Sequence, residues 1–224
     1  MIIGLAGKFG AGKDAVADVL VERFGFRKLS FAEPLRQECA EAIETRQYPD
    51  VIPDYLRENL KCLEPKQVWE KPTKPSTREL LQLWGTNFRR AADPDYWVRK
   101  TAEEILRSPD ANIVLSDVRF PNEAAVAKFH GRLWLINRPS QQLTAHHAHE
   151  SERFCSEYTD WDLVVQNDSD LTALQDKVAA LYRCELELSR IAQERITTTS
   201  PTHRFGLDLG ECDWQAEKRT IQLQ

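Results

Sequence analysis

Short apolar runs and segments with helical spacing alternate along most of the chain. The apolar runs predict buried strands at residues 2–6, 26–31, 113–115, 133–136 and 163–165. Apolar residues three and four positions apart predict helices at residues 14–21, 33–45, 76–88 and 93–107, from 121 onward, and from 171 to about 192. Because helices separate the strands, the pattern predicts an α/β protein whose parallel sheet is covered on both faces, with ligands beyond the carboxyl ends of the strands.

Two stretches depart from this alternation. Five prolines interrupt residues 48–75, which favours a mobile, mostly helical insertion over a part of the central sheet. Residues 196–201 contain Thr-Thr-Thr-Ser-Pro and predict a linker. We therefore expect a domain at residues 1–196 and a polar tail at 197–224, which could dock on the core, pair with a second subunit in a homodimer or stay disordered.

Composition narrows the class of protein. The 224 residues are 42% hydrophobic, enough for one α/β domain with an insertion. No apolar run approaches the length of a membrane span and no signal-type core is present, so we expect a cytoplasmic protein without a membrane partner. A formal net charge of -5 argues against binding a nucleic acid polymer, whereas a small anion needs only a local basic pocket. The five cysteines form no Cys-x-x-Cys pair and are expected to be reduced thiols.

The first candidate site is the sequence Gly-Lys-Phe-Gly-Ala-Gly-Lys-Asp of residues 7–14, between a predicted strand and a predicted helix. Its spacing is typical of a phosphate-binding loop. The glycines let successive N–H groups point at phosphate oxygens, and the helix N-terminus adds partial positive charge. Lys13 should then reach the β- and γ-phosphates. The alternative, a glycine-rich turn without a ligand, is disfavoured by the flanking strand and helix. The predicted polyphosphate-binding residues are Gly7, Phe9, Gly10, Ala11, Gly12, Lys13, Asp14 and Ala15.

The residue after the loop lysine departs from the usual pattern. Asp14 stands where Ser or Thr normally offers a hydroxyl to Mg²⁺, and Ala15 offers none. A carboxylate can hold Mg²⁺ directly or through water, but without the cation it would repel a triphosphate. We therefore expect Asp14 to be a metal ligand and nucleotide binding to require Mg²⁺ strictly.

A second candidate site follows the predicted strand at residues 113–115. Asp117 could hold Mg²⁺ or its water shell, and the planar guanidinium of Arg119 could bind phosphate. The alternative is a purely structural turn with a capping pair. The phosphate-binding loop elsewhere in the chain makes this alternative less favoured than a functional site.

Aromatic and arginine residues are crowded between residues 84 and 97. Such a set could clamp a base by stacking and its phosphate by charge. Trp84 and Phe88 lie four residues apart on one helix face, so a place in the core is favoured for Trp84. Arg89 or Arg90 is a better candidate ligand. The substrate contacts predicted from this segment are Trp84, Arg89 and Trp97.

Three motifs in order, GKFGAGKD, LLQLWGTNFRRAADPDYW and SDVRFPNEA, resemble the phage deoxynucleoside monophosphate kinases of the P-loop kinase superfamily. The resemblance covers about residues 1–165. Animal-type phosphomevalonate kinases look like distant relatives that also carry Asp after the loop lysine, so Asp14 fits this branch. The resemblance implies a parallel five-stranded sheet flanked by helices, with a helical acceptor-binding insertion at about 33–95 and a lid at about 139–156. It also implies an enzyme that uses Mg²⁺ and ATP to phosphorylate a deoxynucleoside monophosphate, in the host cytoplasm if the protein is phage-encoded.

The same resemblance implies roles for individual residues. Residues 30–36, Ser-Phe-Ala-Glu-Pro-Leu-Arg, are similar to the segment that begins the family's acceptor-binding region, with Glu33 where Asp is common. Asp117 would position Mg²⁺ or the acceptor, and Arg138 would enter with the lid. These groups would act by alignment and by neutralising charge on the transferred group. The implied acceptor-site residues are Phe31, Arg36, Arg89 and Arg119, and the implied catalytic residues are Lys13, Asp117, Arg119 and Arg138.

The implied lid contains His146, His147 and His149. Their spacing matches no common set of metal ligands, and the segment resembles the family's His-x-Ser-Glu lid element, so we do not interpret them as a metal site.

Other functions stay open on the sequence alone. A P-loop switch GTPase would carry an Asn-Lys-x-Asp motif, which does not occur here. A kinase for another small phosphorylated acceptor, such as phosphomevalonate, and a nucleotide-binding module without transfer activity both remain as alternatives.

Overall fold

A parallel five-stranded sheet forms the centre of the computed structural model, which describes residues 1–70, 73–139 and 150–198. The strands are β1 (Ile2–Ala6), β2 (Arg27–Leu29), β3 (Ile113–Val118), β4 (Gly131–Asn137) and β5 (Leu163–Gln166), in the spatial order β2-β3-β1-β4-β5. In register, Ile2 of β1 lies opposite Ile113 on one side and Gly131 on the other. Strand order reverses at β1, which opens a crevice at its carboxyl end. The predicted fold class is confirmed.

The helices follow the predicted alternation. They are α1 (Lys13–Phe24), α2 (Ala32–Thr45), α3 (Asp54–Leu60), α4 (Pro75–Gln82), α5 (Tyr96–Leu106), α6 (Pro121–His130), α7 (Glu150–Glu157) and α8 (Leu171–Thr198). A 3-10 helix, Pro65–Val68, precedes α4, and a π-helix, Leu83–Arg90, continues it.

Some boundaries differ from those predicted. β2 is shorter than residues 26–31 because the N–H of Phe31 donates to a side chain of β3 and not to a neighbouring strand. The helix predicted at 93–107 begins at Tyr96, since Asp93 caps a turn in which its Oδ1 accepts the N–H of Asp95.

Successive residues of β1 enter opposite hydrophobic cores, as the two-residue period of a strand requires. Ile3 and Leu5 pack on the side covered by α1 and α8. Ile2 and Ala6 pack on the side covered by α6 and α7. The sheet is thus buried on both faces.

The segment between α2 and α5 has a core of its own. Ile43 of α2, Leu56 and Leu60 of α3, and Leu80 of α4 are fully or almost fully buried in it. The proline-rich stretch contains α3 and the 3-10 helix, its other described residues before α4 form turns and irregular structure, and it packs into a folded layer. The mobility expected of it stays a prediction.

The chain divides into two compact units, Met1–Tyr182 and Arg183–Gln224. Of the second, the structure describes only the end of α8. The boundary expected at residue 196 and the role of the tail stay predictions. Among the described helices, none combines the length and the hydropathy that a membrane crossing requires.

Candidate active site

The phosphate-binding loop connects β1 to α1 at the reversal of strand order. Gly7, Gly10 and Gly12 adopt positive φ values of 151°, 79° and 103°, which other residues rarely reach. A Cβ on Gly7 would lie 2.5 Å from the carbonyl oxygen of Ile136. Gly12 is also the N-cap of α1 and offers no side chain to the first N–H groups of the helix. Those N–H groups and the helix dipole form an anion-binding site.

The side chain of Lys13 folds back over this loop. Its Nζ donates to the carbonyl oxygens of Gly7 at 2.6 Å and Lys8 at 3.0 Å. The Lys13 ammonium therefore lies beside the loop, where phosphate oxygens could replace these carbonyl oxygens as its acceptors. Ala11 and the partly buried Ala15 pack in the core beneath the loop.

Phe9 projects from the loop with 53% of its surface exposed. The guanidinium of Arg78, on α4, lies 5.7 Å from the centre of its ring. Sequence reasoning missed this approach of α4 to the loop because no motif marks Arg78.

Asp14 lies in the first turn of α1 with 58% of its side chain exposed, and its Oδ1 is 3.3 Å from Nζ of Lys28. Burial lowers the pKa of Lys28, but hydrogen bonds and attraction from Asp18 and Asp14 outweigh it and raise that pKa overall. Mg²⁺ in nucleotide sites is held by one or two carboxylates together with substrate phosphates and waters. An exposed carboxylate beside the loop fits that donor set.

Asp117, at the end of β3, is held by the start of α2. Its Oδ2 accepts the hydroxyl of Ser30 at 2.7 Å and the N–H of Ala32 at 3.0 Å, while Oδ1 accepts the N–H of Phe31 at 2.8 Å. The carboxylate thus caps α2 from a distant part of the chain. A carboxylate has about four acceptor positions, so these three bonds leave room for a further contact. Sequence reasoning singled out Asp117 but did not find this capping role or its partner Ser30.

Arg36 lies in the second turn of α2, the helix that Asp117 caps, and Arg119 follows Asp117 by two residues. Arg36 is half-buried and donates to the carbonyl oxygen of Val68. Burial lowers the pKa of the Arg36 guanidinium, Asp117 raises it, and Arg119 lowers it further, with a net decrease. The charges of Asp117 and Arg119 therefore both act on Arg36, and the role of these three residues at one site stays a prediction.

Glu38 of α2 organises a second polar cluster. Its Oε2 accepts Nε1–H of Trp84 and Nε–H of Arg89, both at 2.8 Å, and its Oε1 accepts the hydroxyl of Tyr96 at 2.5 Å. The Arg89 guanidinium also lies 4.8 Å from the ring centre of Phe88 and 4.7 Å from that of Tyr96. Arg89 is thereby fixed at Nε, and its two terminal nitrogens carry the remaining donors. No sequence motif marked Glu38.

The aromatic residues predicted to contact substrate are buried. Trp84 is 7% exposed, as its helix-face spacing with Phe88 favoured. Phe31 is 3% and Trp97 2% exposed, and Nε1–H of Trp97 donates to the carbonyl oxygen of Gly85 at 3.1 Å. The structure places these rings in hydrophobic cores, and their contact with substrate stays a prediction.

Arg90 links the π-helix to the turn that carries Arg119. It is paired with the buried carboxylate of Glu123, and its guanidinium lies 3.8 Å from the ring centre of Phe120. Oε2 of Glu123 also accepts the backbone N–H of Arg119 at 2.7 Å. Burial raises the pKa of Glu123 to about 7 against the lowering effect of Arg90. This ion pair therefore orients the Arg119 backbone.

Arg138 is exposed at the end of β4. Of the predicted lid at 139–156, residues 140–149, including His146, His147 and His149, lie outside the described residues, so their roles stay predictions.

A cavity of about 260 Å³ opens between α7 and the turn after β3. Sequence reasoning missed that Arg153 of α7 lines this cavity together with Arg119.

Comparison with known proteins gives a family and two viral relatives. The model of the deoxynucleotide monophosphate kinase family matches residues 57–178, more than half of the chain. A protein of Acanthamoeba polyphaga mimivirus, provisionally named a deoxynucleotide monophosphate kinase, is 28% identical over 198 residues, covering 80% of this chain and 94% of that protein. The uncharacterised protein ORF77 of Ictalurid herpesvirus 1 (strain Auburn) is 28% identical over 183 residues, covering 79% of this chain and 68% of that protein.

Among solved structures, dephospho-CoA kinase from Campylobacter jejuni aligns at 12% identity and a TM-score of 0.42, over 81% of this chain and 95% of that chain. Shikimate kinase from Aquifex aeolicus aligns at 12% identity and a TM-score of 0.44, over 83% of this chain and 98% of that chain.

Proposed function

The chain belongs to the deoxynucleotide monophosphate kinase family and is therefore a nucleotide kinase, and from this premise we propose that it transfers the γ-phosphate of ATP to a deoxynucleoside monophosphate. An oxygen of the acceptor phosphate forms the new bond to the γ-phosphorus as the bond from that phosphorus to the β-phosphate oxygen breaks. The products are a deoxynucleoside diphosphate and ADP.

The observation that carries the proposal is the placement of two arginines around Asp117: Arg36 lies in the second turn of α2, whose first N–H group donates to Asp117, and Arg119 follows Asp117 by two residues at the carboxyl end of β3. Each guanidinium offers planar N–H donors that match phosphate oxygens. Because Asp117 also caps α2, the acceptor-binding insertion begins at this same point. The acceptor phosphate is therefore assigned to this pair.

The donor site in this proposal is the loop of residues 7–15, with Lys13 on the β- and γ-phosphates. Asp14 is the proposed Mg²⁺ ligand, and Asp117 is the proposed partner of a water in its shell. When bound, Mg²⁺ neutralises charge on the phosphates. Lys13, Arg119 and Arg138 align the reacting groups and stabilise the charge that spreads over the transferred phosphoryl group.

Arg89 is the proposed second contact to the acceptor. Its Nε–H donates to Glu38 and its guanidinium lies near the rings of Phe88 and Tyr96, which together restrict the direction of its terminal N–H groups. A pre-oriented guanidinium loses less conformational entropy when it binds phosphate.

The test is an ADP-release assay with Mg²⁺-ATP and each deoxynucleoside monophosphate in turn, with phosphomevalonate as the competing acceptor. We expect ADP release that depends on a deoxynucleoside monophosphate, with a diphosphate as the second product. ADP release that depends on phosphomevalonate would show that phosphomevalonate, and not a deoxynucleoside monophosphate, is the acceptor. ATP binding without transfer to any acceptor would favour a nucleotide-binding module and refute the proposal.

A further inference from the structure

A buried asparagine that no motif marks lies against the phosphate-binding loop. Asn167 follows β5 and is 7% exposed. Its Nδ2–H donates to the carbonyl oxygen of Ala11 at 2.9 Å, 156 residues away in the chain. Its backbone N–H donates to the carbonyl oxygen of Asn137 at 2.7 Å. The residue is therefore anchored to the end of β4 through its backbone and to the loop through its side chain.

The bond to Ala11 sets the direction of one peptide unit of the loop. In a trans peptide the C=O of one residue and the N–H of the next lie in one plane and point in opposite directions. Since the Ala11 carbonyl is directed at Asn167, the N–H of Gly12 points away from Asn167. A phosphate-binding loop works through N–H groups that converge on the anion, so the direction of this peptide decides whether it presents a donor or an acceptor to a phosphate.

Tight packing keeps the amide against the loop. A Cβ on Gly12 would lie only 2.7 Å from Nδ2 of Asn167, so only glycine lets the side chain approach this closely. Gly12 also has a φ of 103°, which it needs as the N-cap of α1. The amide, the Ala11 carbonyl and the start of α1 thus form one close-packed unit.

We propose that Asn167 is a positioning residue of the nucleotide site, which locks the Ala11–Gly12 peptide in the orientation that binds the donor phosphates. The inference rests on the proposed ATP-binding role of the loop and adds to it a residue beyond the loop itself.

The experiment compares two variants of the full chain with a matched control. Asn167→Asp keeps the shape of the side chain but sets a carboxylate oxygen against the Ala11 carbonyl, and Asn167→Ala removes the donor. The control is Asn137→Ala at the end of the neighbouring strand, where Nδ2–H makes an exposed bond to Oε1 of Gln166 at 2.9 Å. Calorimetric titration measures the Kd for Mg²⁺-ATP, and steady-state kinetics measures KM for ATP and for the acceptor.

We expect both Asn167 variants to raise the Kd for Mg²⁺-ATP by about tenfold to a hundredfold, with Asp at the upper end, because ATP binding must then supply the free energy that this buried hydrogen bond provides in fixing the peptide. KM for the acceptor should change less than about twofold on the same energy scale, and Asn137→Ala should bind ATP like the wild type.

A folded Asn167 variant that binds Mg²⁺-ATP as tightly as the wild type would overturn the inference. So would a parallel loss of affinity for ATP and acceptor, or failure of both variants to fold, because either would make Asn167 a residue of the fold and not of the site. A wild-type protein that does not bind Mg²⁺-ATP would refute the proposed function instead. ATP binding without acceptor turnover would still allow the titration to decide the role of Asn167.

Discussion

Removing Glu38 is the sharpest test of how the proposed acceptor site is held. The Glu38→Ala variant leaves three donors without their acceptor, namely Nε1–H of Trp84, Nε–H of Arg89 and the hydroxyl of Tyr96. The Glu38 side chain is 19% exposed and that of Arg89 is 33% exposed, so water can replace only part of what is lost.

The size of the effect follows from these contacts. Breaking a buried ion pair by deleting one partner costs about 3–5 kcal/mol, whereas exposed pairs contribute about 1 kcal/mol or less. For a partly exposed cluster we expect Glu38→Ala to lower the free energy of unfolding by about 2–4 kcal/mol. Because Arg89 loses its anchor, KM for the acceptor should also rise by about tenfold or more, with little change in KM for ATP.

Glu38→Gln separates charge from geometry. The Gln Oε1 can accept from both Trp84 and Arg89, and the Tyr96 hydroxyl can rotate to accept from the new amide. This variant should therefore lose only about 1–2 kcal/mol of stability and keep most of its acceptor affinity. The control is Glu41→Ala on the same helix, where Glu41 makes an exposed bond with Gln37.

Urea unfolding and steady-state kinetics with each substrate measure the two effects. A Glu38→Ala protein whose acceptor KM stays within about twofold of the wild-type value while its stability falls would show that Arg89 does not bind the acceptor. An unchanged free energy of unfolding would show that the cluster contributes nothing to the fold. A double-mutant cycle with Arg89→Ala should give strongly non-additive KM effects, because both changes remove the same contact.

Three further predictions test the other proposed roles. Lys13→Ala should abolish phosphoryl transfer and leave the unfolding midpoint unchanged, and a variant that keeps more than about a tenth of the wild-type rate, less than about 1.4 kcal/mol of lost stabilisation, would contradict the donor-site assignment. Arg119→Ala should lower kcat/KM for the acceptor far more than for ATP in the same kinetic assay, and equal losses would move Arg119 out of the acceptor site. Chelating Mg²⁺ should abolish ATP binding in a calorimetric titration. Asp14→Asn should make ATP binding less dependent on Mg²⁺, because the variant lacks the carboxylate that repels free triphosphate. A wild-type ATP affinity that is the same with and without Mg²⁺ would refute the metal role of Asp14.

Local parts of the site could be predicted from the sequence because all their determinants are contiguous. The run from Ile2 to Asp14 contains a strand, glycines that allow positive φ and a helix start, and the structure has each of them at the expected residues. The two-residue and 3.6-residue periods likewise predicted the order of strands and helices, since each period reports which side of an element is buried. The ends of strands and helices were harder to predict where a side chain distant in the sequence accepts a hydrogen bond from a backbone N–H, as Asp117 does from Phe31.

The sequence by itself determined the α/β fold class, the phosphate-binding loop and the approximate positions of its candidate cations, because these depend on neighbouring residues. Only the tertiary structure decided that Asp117 caps α2, that Glu38 anchors Arg89 and that Asn167 holds the loop. Each of these contacts joins residues between 51 and 156 positions apart. A hydrogen bond depends on distance and direction in space, and a linear pattern carries neither until the chain has folded.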